Sequence, residues 1–267
     1  MRTVNKLMDL SGRVALITGG AGHLGRAMAD ALAELGASIA IVDRTEEGCL
    51  STVEWLAQRH TAPALPFVVD FEDEVAVIAL PSQVAEALGG LDILVNCAAF
   101  VGTSGLEGWG VPFENQSVDT WRRAMEVNLT AVFALTQSAA PLLKSKGHGS
   151  IINISSIYGV HGPDLSLYQG TEMNNPAAYA ASKGGLLQFT RWCSTVLAPE
   201  IRVNAITPGG VFRGQDEKFV ERYVEKTPLK RMAKEEDFKG AVSFLASDLS
   251  AYVTGQNIVV DGGWGVW

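Results

Sequence analysis

The chain has 267 residues, of which 47% are hydrophobic and 19% charged, with 28 glycines; this balance suits a folded globular chain and excludes a disordered one. Its formal net charge of −8 argues against non-specific binding to nucleic acid or to an anionic membrane, while a small-molecule pocket can still be locally basic. Cys49, Cys97 and Cys193 are too scattered for a disulfide framework, and His23, His60, His148 and His161 show no metal-ligand spacing, so no metal is expected.

Residues 1–9 lack the apolar stretch of a signal sequence, and no window reaches the length of a membrane span, so a cytoplasmic protein is expected. Residues 14–17 are a short apolar run that reads as a buried parallel strand. A glycine cluster follows, then a helical pattern over 26–35 stopped by Gly36, and a second strand, 38–43, ending in Asp43. Gly20, Gly22 and Gly25 satisfy the GxGxxG spacing. Strand, glycine turn, helix, strand and acid is the layout of a dinucleotide-binding unit: the glycines let backbone amides approach a pyrophosphate at the positive end of the helix. Asp43 is placed to accept from ribose hydroxyls and to repel a 2′-phosphate, which favours NAD over NADP; the adjacent Arg44 reads as a solvated charge.

The alternation continues with a helix over 46–59, a strand over 64–70, a helix over 72–88 that includes Pro81, and a strand over 91–96. Asp70 stands where an adenine amino group could reach it, or where it could cap the next helix. Asn96-Cys97-Ala98-Ala99 is a small turn that lets the chain pass beside a flat ligand. Repeated strand–helix units imply a parallel sheet covered on both faces.

Residues 102–110 read as a loop over the strand ends, and a long helix runs from Ser117 through Leu135 with Asn128 inside it. A fifth strand, 150–156, ends in two hydroxyls; the irregular segment 158–175 follows. Next comes Pro176-Ala-Ala-Tyr179-Ala-Ala-Ser-Lys183, a helical stretch that puts Tyr179 and Lys183 on one face. An ammonium beside a phenol favours the phenolate, so the tyrosine pKa is expected below its usual value of about 10. A sixth strand (201–206), a charged and mobile flap (212–230), a helix (235–247) and a seventh strand (256–260) complete the pattern. The apolar, aromatic end around Trp264 and Trp267 is expected to be covered by another subunit.

With the glycine turn, Asn96, Ser156, Tyr179-xxx-Lys183 and Pro208-Gly209 in this order, the chain resembles the short-chain dehydrogenases/reductases from Gly12 to Gly263. The resemblance implies one domain over residues 1–267: a three-layer, doubly wound α/β Rossmann fold with a seven-stranded parallel sheet in the order 3-2-1-4-5-6-7. Substrate loops are expected at 102–116, 157–176 and 211–232. It assigns the cofactor turn to Thr18, Gly19, Gly22, His23, Leu24 and Gly25, the ribose to Asp43 with Arg44, and the adenine to Asp70 and Phe71. Asn96 and Ala98 line the middle of the cofactor, and Pro208, Gly209 and Val211 its nicotinamide end.

By the same resemblance, Ser156 polarises the substrate oxygen, Tyr179 is the acid/base, Lys183 lowers its pKa and holds the nicotinamide ribose, and Asn128 tethers a water in the proton path. Tyr158 and Arg213 are expected to meet substrate. Four departures stand out: His23 replaces the usual middle glycine, Cys97-Ala98-Ala99 follows Asn96, Arg213 takes the place of a carboxamide-binding threonine, and the segment between Ser156 and Tyr179 carries an insertion of about ten residues. Ser156-Ile-Tyr-Gly159, Tyr168-Gln-Gly-Thr171, Gly209 to Arg213 and Gly263-Trp264 are similar to a bacterial subset, the flagellin-modification and surface-sugar oxidoreductases. The expectation is a homotetrameric or homodimeric, NAD-dependent enzyme that interconverts a secondary alcohol, sugar-derived or polyol, with its ketone. The rivals are a catalytically silent NAD sensor, a 3-oxoacyl or ketone reductase of the same fold, and a nucleotide-sugar epimerase.

Overall fold

In the computed structural model, residues 1–101 and 104–267 are described; Gly102 and Thr103, at the head of the expected 102–116 loop, lie outside them. Strands β1 (Val14–Thr18), β2 (Ser38–Asp43), β3 (Ala64–Val68), β4 (Ile93–Asn96), β5 (Gly149–Ile154), β6 (Ile201–Pro208) and β7 (Asn257–Val260) form one sheet. Its order is β3-β2-β1-β4-β5-β6-β7, and every pairing is parallel. The reversal between β1 and β4 opens a crevice at the carboxyl edge, where open α/β sheets bind ligands.

Nine α-helices occur among the described residues: α1 (Val4–Met8), α2 (His23–Glu34), α3 (Glu46–Ala57), α4 (Glu74–Leu88), α5 (Val118–Met125), α6 (Ala131–Ser145), α7 (Ala177–Val196), α8 (Glu217–Lys226) and α9 (Lys239–Ala246). None is long and apolar enough to cross a membrane. Strand alternation explains the two helical layers. Ala15 and Ile17 of β1 face Met28 and Leu32 of α2 and Val242 of α9, whereas Val14 and Leu16 face Leu80 of α4 and Leu135 of α6. These side chains are almost wholly buried, and each large one contributes about 1.5–3 kcal/mol of transfer free energy.

Several expectations are corrected. The continuous helix over 117–135 is instead α5, a π-helical turn over Glu126–Thr130 and α6, and Asn128 sits in the π turn. The fifth strand stops at Ile154; Ser155 donates its amide to the Ile206 carbonyl of β6 at 2.8 Å and its hydroxyl to the Lys183 carbonyl at 3.0 Å. Asp70 does not cap α4: Asp73 does, accepting from the Ala76 amide at 3.1 Å, while Asp70 turns the chain by accepting from Glu72 N at 2.9 Å.

The expected flap over 212–230 carries a packed helix, α8, whose Phe219 and Tyr223 are buried. Against them sit Leu167, from the inserted segment, and Trp264, which stacks on Tyr223 with ring centroids 5.8 Å apart. Trp264 is therefore covered within its own chain, while Val266 and Trp267 stay exposed. The five-residue α1, capped by Thr3, had no apolar periodicity to announce it.

Candidate active site

The glycine turn joins β1 to α2, and its geometry fits a dinucleotide. Gly19 has φ +63°, and a Cβ there would meet the Ala98 backbone at 2.9 Å; a Cβ on Gly25 would lie 2.1 Å from the Gly19 carbonyl. Only glycine lets β4, the turn and α2 approach this closely. Gly22 is the N-cap of α2 and offers no side-chain cap, so the first amides of a twelve-residue helix, those of His23 and Leu24 among them, point out of its positive end. A pyrophosphate fits that cradle. Asp43, at the end of β2, accepts from Ala21 N at 3.2 Å and from Arg44 N at 2.8 Å, which holds its carboxylate beside the turn. Arg44 is exposed, and Phe71 is buried in the core, so any cofactor contact by Phe71 is through its backbone.

Thr18 holds this cradle rather than lining it. Its Oγ accepts from the amides of Cys97 and Ala98, both at 3.0 Å, and ties the β1 exit to the β4 exit. Asn96 donates to the Asn153 side chain at 2.8 Å, in register across β4 and β5, and Asn153 donates to Thr190 of α7 at 2.9 Å. The sequence reading missed Asn153; a polar residue at a fully buried strand position was the available signal. Burial pushes the Cys97 thiol up to about 11, so it stays protonated beside this turn.

Ser156, Tyr179 and Lys183 converge past the end of β5. Ser156 is buried in extended conformation, its Oγ accepts from Tyr158 N at 3.2 Å, and its hydroxyl lies near the Tyr179 phenol, where it favours the phenolate. Lys183 lies one turn along α7, with Nζ 5.7 Å from the Tyr179 ring centroid. It donates to the Ile154 carbonyl at 2.7 Å, and burial lowers its pKa to about 8. Burial raises the Tyr179 pKa and outweighs the influence of the nearby Ser156 hydroxyl, so the expected downward shift is reversed. A cation whose own charge is disfavoured by burial, and which is anchored on a carbonyl, gives the phenolate little support.

Asn128 is 1% exposed and its amide is fully engaged. It accepts from Phe100 N at 2.7 Å and donates to Phe100 O at 3.2 Å and to Ser182 Oγ at 3.1 Å. Ser182 in turn donates to the Tyr179 carbonyl at 2.9 Å. The side chain thus clamps the β4 exit loop to the helix of Tyr179. Gln116, another residue missed from sequence, braces the start of α7 by accepting from Ala177 N at 2.9 Å.

The far wall comes from the β6 exit. Pro208 is buried, and Gly209 donates to the Val260 carbonyl at 2.9 Å where a Cβ would strike Asp261. The Val211 carbonyl accepts from Gln215 at 2.8 Å, and the Val211 N–H has no partner among the described residues. Arg213, expected at the substrate, instead pairs with Glu235 at 2.7 Å, and His23 approaches the same carboxylate at 3.6 Å. Tyr158 faces Tyr168, phenol to phenol at 2.5 Å.

A family model described as enoyl-(acyl carrier protein) reductase matches residues 19–265. The chain is 34% identical to the 3-oxoacyl-[acyl-carrier-protein] reductase FabG of Thermotoga maritima, over 96% of this chain and 99% of the relative. It superposes on a short-chain type dehydrogenase/reductase from Mycobacterium marinum with a TM-score of 0.86, at 30% identity and covering 99% of each chain. A gluconate 5-dehydrogenase from Burkholderia cenocepacia, solved with NADP and tartrate, gives a TM-score of 0.86 at 30% identity, covering 99% of this chain and 100% of that one.

Proposed function

Because the chain belongs to the short-chain dehydrogenases/reductases, a family of nicotinamide-dependent oxidoreductases, we propose that residues 1–267 act as one catalytic domain that interconverts a secondary alcohol and its ketone, with NAD preferred and a sugar-derived or polyol substrate. The observation that carries this is the meeting of the Ser156 hydroxyl and the Tyr179 phenol one helical turn from Lys183, at the same sheet edge as the glycine cradle. The nicotinamide, when bound, supplies the hydride acceptor or donor. In reduction, Tyr179 gives its phenolic proton to the carbonyl oxygen, and Ser156 stabilises the charge developing there. In oxidation, the tyrosine takes the proton back.

Lys183, anchored on the Ile154 carbonyl, would hold the ribose hydroxyls of the nicotinamide cofactor, one helical turn from the phenol. Asn128 fixes the helix carrying both groups. The preference for NAD rests on Asp43, whose carboxylate beside the Ala21 amide would repel a 2′-phosphate. The polyol reading rests on the polar segment 157–176 over the site and on the likeness to a gluconate 5-dehydrogenase.

The test is to follow NADH absorbance with the purified protein against polyols, ketoses, sugar acids and an acetoacetyl thioester, with NAD and NADP at equal concentration. Turnover of a polyol or ketose, faster with NAD, is expected. Selective reduction of the thioester would instead favour the acyl reductase reading. A protein that binds NADH but turns over nothing would be a sensor.

A further inference from the structure

The segment between Ser156 and Tyr179 contributes polar groups that the hydride chemistry does not use. It is pinned from both ends: Arg222 of α8 donates to the Leu167 and Gln169 carbonyls at 3.2 and 2.5 Å, and Lys226 pairs with Asp164. Leu167 is fully buried beneath it. This fixes the Tyr168 phenol against the Tyr158 phenol at 2.5 Å, and the Asn175 amide reaches Tyr168 at 3.5 Å. Asn175 immediately precedes Pro176, the N-cap of α7, so it stands one helical turn before Tyr179.

Asn175 is only 9% exposed, yet its side-chain oxygen has no partner among the described residues. Turning the amide over would satisfy the oxygen on Tyr168 and strand the nitrogen, so one end is left over either way. The two phenols also hold one proton too many for their own bond: one O–H bridges them and the other is free to donate. Burial pushes both phenols upward in pKa, so both protons stay on. As placed, the trio presents a spare phenol O–H and the amide oxygen; with the amide turned over, the second phenol proton fills that oxygen and the amide N–H is left over. A hydroxyl, which both donates and accepts, is the small group that satisfies both. An unmet buried polar atom is destabilising, and a ligand hydroxyl would relieve it.

We propose that Tyr168 and Asn175, backed by Tyr158, form a subsite that binds a hydroxyl on the carbon next to the reacting one, so that the enzyme selects vicinal diols and α-hydroxy ketones. This rests on the polyol reading above and names the part of the substrate that is recognised. A methylene at that position, as in a 3-oxoacyl chain, leaves the subsite unpaired.

The test compares the best polyol from the substrate panel with its analogue deoxygenated at the neighbouring carbon, using wild type, Tyr168→Phe and Asn175→Leu. Wild type is expected to favour the hydroxylated substrate in kcat/KM by about tenfold or more. Both variants should lose most of that preference, with the loss falling on the hydroxylated substrate and much less on the deoxy analogue. Tyr168→Phe keeps the ring and guards against a folding defect, which thermal melts of both variants also check. Equal losses on both substrates, or a preference left intact, would overturn the subsite while leaving the polyol reading standing. If wild type turns over no polyol at all, that reading fails and the subsite falls with it.

Discussion

Lys183 and Tyr179 show how a pair that is plain in sequence can be wrong in sign until its surroundings are known. Spacing alone put the ammonium beside the phenol, and the structure keeps them on one face of α7. What the sequence could not show is that Lys183 is buried and Tyr179 partly so, which lets desolvation penalise the ammonium and the phenolate alike. The lysine's shift has a stability consequence. Its pKa falls from 10.5 unfolded to about 8 folded, so below about 8 both states carry the proton and the cost of burying the charge is felt in full. Between those values the folded state has released the proton that the unfolded state still holds, and stability rises with pH. Lys183→Met should therefore abolish turnover yet raise the unfolding free energy by about 1–3 kcal/mol at pH 7, after allowance for the bond lost at the Ile154 carbonyl. Urea titrations at pH 7 and pH 10 check this: the gain should shrink at the higher pH. A variant less stable than wild type at both would contradict the desolvation account.

At the scale of elements, Gly159 carries more of the site than its place in a loop implied. It lies in the turn just after Ser156, and a Cβ there would sit 2.7 Å from the Lys183 carbonyl carbon and 2.7 Å from Ser155 Oγ. The β5 exit can therefore press against α7 only if residue 159 has no side chain. Gly159→Ala should destabilise by about 1–3 kcal/mol and lower kcat, since Ser156 must shift relative to Tyr179. Gly184→Ala, whose Cβ would make ordinary contact at 3.5 Å, should be neutral or stabilising by up to about 1 kcal/mol. Thermal melts and kcat of the two variants test the pair, and equal behaviour would remove Gly159 from the account.

The strands and the helices around them were legible because their apolar periods are strong, and so was the order of Gly19, Asp43, Ser156 and Tyr179 along the strand ends. Less legible was anything decided by a distant partner. The π turn at Asn128 is read in the sequence as helix, since its causes, Phe100 and Ser182, lie 28 and 54 residues away. The charged stretch 212–230 reads as mobile because α8 has a single narrow apolar face, and the partners that bury it come from Leu167 and Trp264. Arg213 reads as a free cation until Glu235 is brought to it.

For the whole molecule, Trp264 is covered within the chain, and the expected subunit contact at the C-terminal tail falls on Val266 and Trp267, which stay exposed. Apolar rings remain uncovered elsewhere: Phe133 on α6 is 46% exposed and Trp192 on α7 58%, linked through Phe189 with centroids 6.0 and 6.5 Å apart. An apolar face of this kind is suited to pairing copies of the chain, in a dimer or as part of a tetramer. Sedimentation velocity should find an oligomer that Trp192→Glu weakens; a monomeric wild type at micromolar concentration would contradict it. The central claim concerns chemistry at the β5 edge, and it is tested most directly by single-turnover hydride transfer in Tyr179→Phe, alongside NADH binding followed by fluorescence. The account predicts a loss of about a thousandfold or more in the transfer rate with NADH affinity within about twofold of wild type. Transfer at the wild-type rate would contradict it.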